Sequence, residues 1–147
     1  MNAKRLALAC LAVFLLVFAY DFVLHTIILK TDYVVTGFLW RPQDEMPRYF
    51  GSLLFGQIEL SVAFCLIYAF LSDSRASIAR GLVYGLLAGL LLCGPNFITF
   101  AVQPFPLDLI VKWTLGRLIQ MLLAGLLLGT IYRPVILRKM PAEAMAA

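Results

Sequence analysis

Six polar residues that could do chemistry inside a membrane lie within the long apolar stretches of this chain. Asp21 and Glu59 are acids, Arg117 is a permanent cation, and His25 changes charge near neutral pH. Hydrocarbon penalises such groups, so they are expected to face one another or a polar cavity. Together they could bind a proton or a small polar ligand. The candidate cluster consists of Asp21, His25, Glu59, Asn96, Arg117 and Gln120.

Four apolar stretches position these residues, at 6–29, 49–71, 78–101 and 109–132. Each reaches the roughly 20 residues needed to cross a hydrocarbon core about 30 Å thick. Hydrophobic residues make up 63% of the chain and charged residues only 14%, against about 25% charged in a soluble domain. We therefore expect one membrane domain over residues 1–147, an all-α, antiparallel four-helix transmembrane bundle surrounded by a lipid bilayer.

Depth and spacing favour a single cluster. Counted from the outer ends at 1.5 Å per residue, Asp21 and Arg117 lie about 12 Å deep and Glu59 about 15 Å. His25 and Asn96 lie at roughly 6–8 Å by the same count. Asp21 and His25 share one face of the first helix, since they are four residues apart. These positions predict a charge-assisted contact from Arg117 to Asp21, to Glu59, or to both.

The second predicted helix carries two polar stripes. Glu59 belongs to a stripe of mostly small residues, which we expect to turn inward. The other stripe is more typical of a packing or subunit contact. The first contains Ser52, Gly56, Glu59 and Ala63, and the second contains Gln57, Ser61 and Tyr68.

Glycines recur at every fourth residue on the third predicted helix, at Gly81, Gly85 and Gly89. Gly125 and Gly129 repeat the spacing on the fourth helix. Small residues at this spacing let two helix backbones approach closely inside a membrane. The pattern predicts a tight helix contact and carries no chemistry of its own.

Two interpretations of the polar cluster stay open. Arginine–carboxylate pairs and amide side chains often only join membrane helices, whereas ionisable groups inside a membrane often mark a ligand, proton or ion site. No catalytic motif accompanies the cluster, so we expect no catalytic residue and no cofactor. We also expect no metal site or disulfide framework, because the only histidine stands alone and the cysteines lie on three separate helices.

Residues 30–48 form the one long connection, and we expect it on the outer side. Pro42 followed by Asp44 and Glu45 is typical of a helix start, which predicts a short interfacial helix. The tail 134–147 is expected to be flexible. The aromatic and basic residues at this surface would serve as an interfacial anchor or as a lid over the cluster. They are Trp40, Arg41 and Trp113.

The distribution of basic residues predicts the orientation. Seven lie on the side of the termini and four on the side of the long loop. The positive-inside rule then places both termini in the cytoplasm of a bacterial inner membrane. The seven are Lys4, Arg5, Arg75, Arg80, Arg133, Arg138 and Lys139, and the four are Lys30, Arg41, Arg48 and Lys112.

Several short motifs carry a family resemblance. They are the Asp21-x-x-x-His25 pair, Leu39-Trp40-Arg41-Pro42 with Glu45-Met46, Tyr84-Gly85-Leu86, and Ile131-Tyr132-Arg133-Pro134. In these motifs the chain resembles a group of small bacterial four-helix membrane proteins, a group that brings no established activity. In size and helix count it is also similar to the DoxX-type proteins, which are associated with quinone-linked redox complexes. That second likeness concerns the fold alone.

The small size and the glycine-lined faces favour a non-enzymatic accessory or interaction subunit of a membrane assembly. Its partner would be another membrane protein or a second copy of the chain. Nucleic acid is not expected, because the basic residues are spread along the sequence. The alternative is a proton-linked carrier or small-ligand binder that uses Asp21, His25, Glu59 and Arg117. A second alternative is a membrane enzyme acting on quinone or lipid.

Overall fold

The computed structural model describes residues 3–71 and 77–132. Within those ranges every regular element is helical, as predicted, and four helical segments are long and apolar enough to cross a membrane. Length and composition thus indicate a multi-pass membrane protein. The long helices are α1 (Ala3–Val23), α3 (Phe50–Leu71), α4 (Ile78–Val102) and α5 (Leu107–Ile131), with a short α2 (Lys30–Val35) after the first. The predicted tail at 134–147 lies outside the described residues.

The end of the first span departs from a regular α-helix. After Val23 the chain makes one wide π-helical turn, Leu24–Ile28. The turn is closed by a 2.9 Å hydrogen bond from the Leu29 backbone N–H to the Leu24 carbonyl. Turns of this kind are rare and often occur at functional sites. His25 lies inside this turn.

The long connection 30–48 is more helical than predicted, and its α-helix begins elsewhere. No helix begins at Pro42, whose carbonyl instead accepts a turn hydrogen bond of 3.1 Å from the Glu45 N–H. The α-helical part of the loop is α2, with Asp32 near its positive end. Thr36 helps to close its last turn by donating to the Asp32 carbonyl at 2.7 Å. Two 3₁₀ turns follow, Gly37–Leu39 and Met46–Tyr49.

The tightest described helix contact joins α4 to α5 through their glycines, as the spacing predicted. Gly81 lies against Gly125 and Gly129, and Gly85 lies against Met121 and Gly125. A Cβ added at Gly85 would lie 3.2 Å from the Gly125 Cα and closer still to the Met121 carbonyl oxygen. The two backbones therefore touch where no side chain separates them.

The other long helices complete the core. α1 packs against both α3 and α5, whereas α3 meets α4 around Tyr84. The Tyr84 hydroxyl donates to the Phe64 carbonyl at 2.7 Å, and its ring lies 5.3 Å from that of Tyr68. The buried residues of α3 begin at Ser61, so the half of α3 that precedes Ser61 has no fully buried side chain.

Candidate functional site

Asp21 is the centre of a polar cluster that joins three helices. Its carboxylate accepts a 3.0 Å hydrogen bond from Gln57 Nε2 on α3 and a 2.7 Å bond from Gln120 Nε2 on α5. Only 13% of the Asp21 side chain is exposed. Hydrogen bonds to a carboxylate are roughly twice as strong as neutral ones. The two amides therefore hold α1 to both neighbours through Asp21.

Arg117 reaches Asp21 through an amide and makes no ion pair with it. The Arg117 guanidinium donates a 2.5 Å hydrogen bond to Gln120 Oε1, while Gln120 Nε2 donates to Asp21 and, at 3.2 Å, to the Val17 carbonyl. Among the described residues no carboxylate oxygen lies within 4.0 Å of Arg117. The predicted direct contact from Arg117 to an acid is therefore wrong. The fully buried Gln120 side chain occupies the position between the two charges.

His25 extends the cluster toward the long connection 30–48. Its Nε2 lies 3.9 Å from Asp21 Oδ1, and its Nδ1 lies 2.5 Å from the Tyr33 hydroxyl on α2. The Trp113 indole N–H on α5 donates to the same hydroxyl at 2.8 Å. A continuous chain of polar groups thus runs from Trp113 through Tyr33 and His25 to Asp21.

The hydrogen-bonding roles along this chain are set by its end groups. The Trp113 indole can only donate, so the Tyr33 oxygen accepts from it and keeps one proton and one further lone pair for His25 Nδ1. When Tyr33 donates to Nδ1, the neutral imidazole carries its proton on Nε2, the nitrogen that faces Asp21. Burial raises the pKa of Tyr33 to about 12, and the nearby Asp21 and Asp32 charges act in the same direction. Tyr33 therefore keeps its proton at physiological pH.

An aromatic cluster covers the loop side of this chain. The Trp40 ring lies 5.2 Å from Tyr33, 5.2 Å from Phe105 and 5.8 Å from Trp113, between ring centroids. Its indole N–H also donates to Thr36 at 2.9 Å. Trp40 and Trp113, predicted as anchor or lid residues, therefore lie together directly above the site. Arg41, the third such residue, lies apart, with its guanidinium 4.0 Å from the Tyr49 ring centroid.

The structure does not bring Glu59 into the cluster. Glu59 is exposed on the outside of α3, as are Ser52, Gly56 and Ala63. The inward face carries the other stripe: Gln57 binds Asp21, and Ser61 is fully buried. The predicted orientation of α3 is corrected by about half a helical turn. The reason is packing, because the large buried side chains Phe64 and Tyr68 share the face of Gln57.

Asn96 makes a separate contact between helices. Its side-chain amide donates to Thr114 Oγ1 at 3.3 Å, which links α4 to α5. Cys93, one turn earlier, donates to the Thr114 carbonyl at 3.4 Å. No hydrogen bond in the described residues joins Asn96 to Asp21 or Gln120. Of the six candidate residues, four lie together: Asp21, His25, Arg117 and Gln120.

Sequence reasoning missed two members of the site. Gln57 belongs to the second polar stripe of α3, and the same helix face carries large aromatic side chains. That combination was the available sign that Gln57 faces the interior. Tyr33 follows His25 by eight residues in the predicted loop, where helical spacing gives no guide. Its placement depends on the π-helical turn and on α2, neither of which has a sequence signature here.

The arrangement can hold and pass a proton. An acid, an imidazole and a phenol stand in sequence, each with a neighbour that determines its hydrogen-bonding role. In the part of the chain that the structure describes, no group of three or more His, Cys, Asp or Glu side chains could hold a metal ion. No protein-family model, curated protein or solved structure matches the chain. The function must therefore be inferred from this geometry.

Proposed function

We propose that the chain is a non-enzymatic accessory or interaction subunit of a membrane assembly, and that the outward face of α3 binds its partner. One observation supports this most directly: Glu59 lies at the midpoint of the span Met46–Leu71 and is exposed on the surface of the chain. In a bilayer that surface would face hydrocarbon unless another protein covered it.

The free-energy cost of leaving Glu59 in lipid is considerable. An aspartate at the centre of a membrane helix costs about 3 kcal/mol on insertion scales, and a glutamate differs by one methylene group. Residues of this kind almost always face a protein interior or a water-filled cavity. A partner helix that donates a hydrogen bond or supplies a cation would remove this cost.

The residues around Glu59 suit a close helix contact. Ser52, Gly56 and Ala63 share its face and are exposed. A Cβ built at Gly56 would meet no atom within 4 Å, whereas the glycines of α4 and α5 that pack together are already in backbone contact. Small residues in membrane helices allow a second backbone to approach. This face is therefore a helix-packing surface that the described chain leaves uncovered.

The charge of Glu59 favours a different protein over a second copy of this chain. The two described cations deepest in a span are Lys112 and Arg117. Lys112 binds Asp32 at 2.6 Å, and Arg117 binds Gln120. Because both are engaged, we infer that the partner presents its own lysine, arginine or histidine at the depth of Glu59.

The proposed setting is a bacterial inner membrane, with the four long helices as an antiparallel bundle and both termini in the cytoplasm. The basic-residue count supports this orientation. The short connection between α4 and α5 supports opposite directions for that pair. In the same arrangement the outer loop and its aromatic cluster would lie at the periplasmic surface.

Photocrosslinking in membranes of the native host tests the proposal. A photoreactive amino acid at Ala63 should give a discrete adduct with one membrane protein. The same amino acid at Leu91, which is 77% exposed on α4, is the matched control and should give none. Absence of an adduct at Ala63 would contradict the proposal. An adduct with the mass of two copies would contradict the inference that the partner is a different protein.

Charge reversal then tests the chemistry of the contact. Glu59→Lys should abolish the adduct at Ala63, because two cations would meet in a low-dielectric contact. Replacing the partner's basic residue by glutamate should restore it. If Glu59→Lys crosslinks as well as the wild type does, the carboxylate is not the feature that the partner recognises.

A further inference from the structure

We propose that Asp21 exchanges a proton with the aqueous phase beside the outer loop, and that His25 and Tyr33 form the path of that proton. This activity is independent of the α3 docking face, since it involves the opposite side of that helix. It assigns to the cluster a function in proton uptake in addition to joining helices.

The exposed fraction of the side chains decreases along the proposed path, from His25 to Asp21. His25 lies within the last turn of its span and its side chain is 38% exposed, whereas Asp21 lies deeper and is 13% exposed. His25 therefore lies between the acid and the end of the span. The aromatic cluster covers Tyr33 from the loop side, through Trp40 and Trp113. His25 and Tyr33 are both partly exposed, so the proton enters where the two side chains meet, at His25 Nδ1.

The transfer step is balanced in protons and charge. The Tyr33 hydroxyl rotates from donor to acceptor, and an incoming proton bonds to His25 Nδ1. The N–H bond at His25 Nε2 then breaks as an O–H bond forms at Asp21 Oδ1. The products are a neutral carboxylic acid and a neutral imidazole with its proton on Nδ1. The reverse sequence returns the proton to water.

One distance must shorten during the step. His25 Nε2 and Asp21 Oδ1 are 3.9 Å apart, whereas proton transfer requires a separation of about 2.6–3.2 Å. The step therefore requires the His25 ring to move toward Asp21. Catalytic hydrogen bonds are often long in a resting structure and shorten only when the reaction proceeds.

Titratable and charged groups from three helices surround the pair. They are Tyr20 from α1, Asp32 and Tyr33 from α2, and Arg117 from α5, while α3 supplies the uncharged Gln57. His25 lies between Tyr33 and Asp21, so it is the carrier and Asp21 is the last acceptor of the proposed path.

Infrared spectroscopy of the purified protein in lipid nanodiscs tests the proposal. After a rapid drop in pH, the carbonyl-stretch bands of all accessible carboxylic acids should appear. The difference between wild type and Asp21→Asn, in which the other acids cancel, should contain the band of one carboxylic acid, and it should remain when both proteins also carry Glu59→Gln/Asp108→Asn. Asp21→Glu, which keeps a carboxyl group, should shift this band without removing it and gives the same comparison if Asp21→Asn fails to fold. An empty difference spectrum would overturn the proposal.

The rate of band formation distinguishes a proton path from a merely structural chain. His25→Gln should slow it by about 100-fold, the lower figure for a positioned proton-transfer group. Tyr33→Phe should slow it as well, whereas Tyr84→Phe, which removes a hydrogen-bonded tyrosine from another part of the fold, should not. Unchanged rates in His25→Gln would show that Asp21 takes its proton by another route.

Discussion

Gln120 and Asp21 are joined by a 2.7 Å hydrogen bond between α5 and α1, and the same amide accepts a hydrogen bond from Arg117. One uncharged side chain therefore links a carboxylate to a guanidinium that would otherwise have to meet it directly. Gln120 is therefore the residue of the site that contacts both charged groups.

Replacing Gln120 by leucine should destabilise the fold more than any other amide replacement. The side chain is fully buried, and its loss removes one of the two amide donors to Asp21, the acceptor of the Arg117 bond and a donor to the Val17 carbonyl. We expect the free energy of unfolding in mild detergent to fall by about 2–3 kcal/mol. Gln103→Leu, at an exposed position after α4, is the matched control. Equal stability of the two variants would show that the bridge contributes little.

Arg117→Met should have a smaller effect. Removing one partner of a buried ion pair typically costs about 3–5 kcal/mol, but Arg117 is half-buried and binds an amide. We expect a loss of about 1.5 kcal/mol, the low end for a hydrogen bond to a charged group. Denaturant titration of both variants gives the comparison. A loss larger than that of Gln120→Leu would indicate a direct Arg117–Asp21 interaction.

The contact between α4 and α5 should not tolerate even one methyl group. A Cβ at Gly85 would overlap the Met121 backbone, so Gly85→Ala should lower stability by about 1–3 kcal/mol or more. Gly56→Ala is the control, since a Cβ there meets open space. Thermal unfolding in the same detergent should separate the two. If they unfold alike, the helices are farther apart than described.

Tyr33 should make the fold sensitive to alkaline pH. Its pKa is raised from 10.0 to about 12 in the folded chain, so the native state retains a proton that the unfolded state releases first. This contribution is complete below pH 10 and is lost as pH rises through 12. Stability should therefore fall more steeply over that interval in the wild type than in Tyr33→Phe. Parallel curves for the two proteins would contradict the raised pKa.

Reporter fusions test the orientation proposed from the basic residues. A reporter joined after Met46 should be active in the periplasm, and reporters joined after Ser74 or Lys139 should be active in the cytoplasm. The reverse pattern would place the aromatic cluster and the exposed edge of His25 at the cytoplasmic surface. Proton exchange would then occur with the cytoplasm.

Several features of this protein were determined by its sequence alone. Four apolar stretches of sufficient length require four membrane-length helices, because a backbone in hydrocarbon must satisfy its own hydrogen bonds. The glycine spacing on α4 and α5 predicted a close backbone contact for each helix, and the structure shows that the two contact each other. The four-residue spacing of Asp21 and His25 placed both on one helix face, and the structure keeps them together.

Which face of α3 turns inward was decided only by the tertiary structure. In a soluble protein, water would mark the outer face by its polar residues, but lipid and protein core are both apolar, so hydrophobicity does not distinguish them. Gln57 and Glu59 are both polar, so polarity alone did not show which of them faces the interior. Packing of Phe64 and Tyr68 turned Gln57 toward Asp21, and the same rotation left Glu59 on the outer surface.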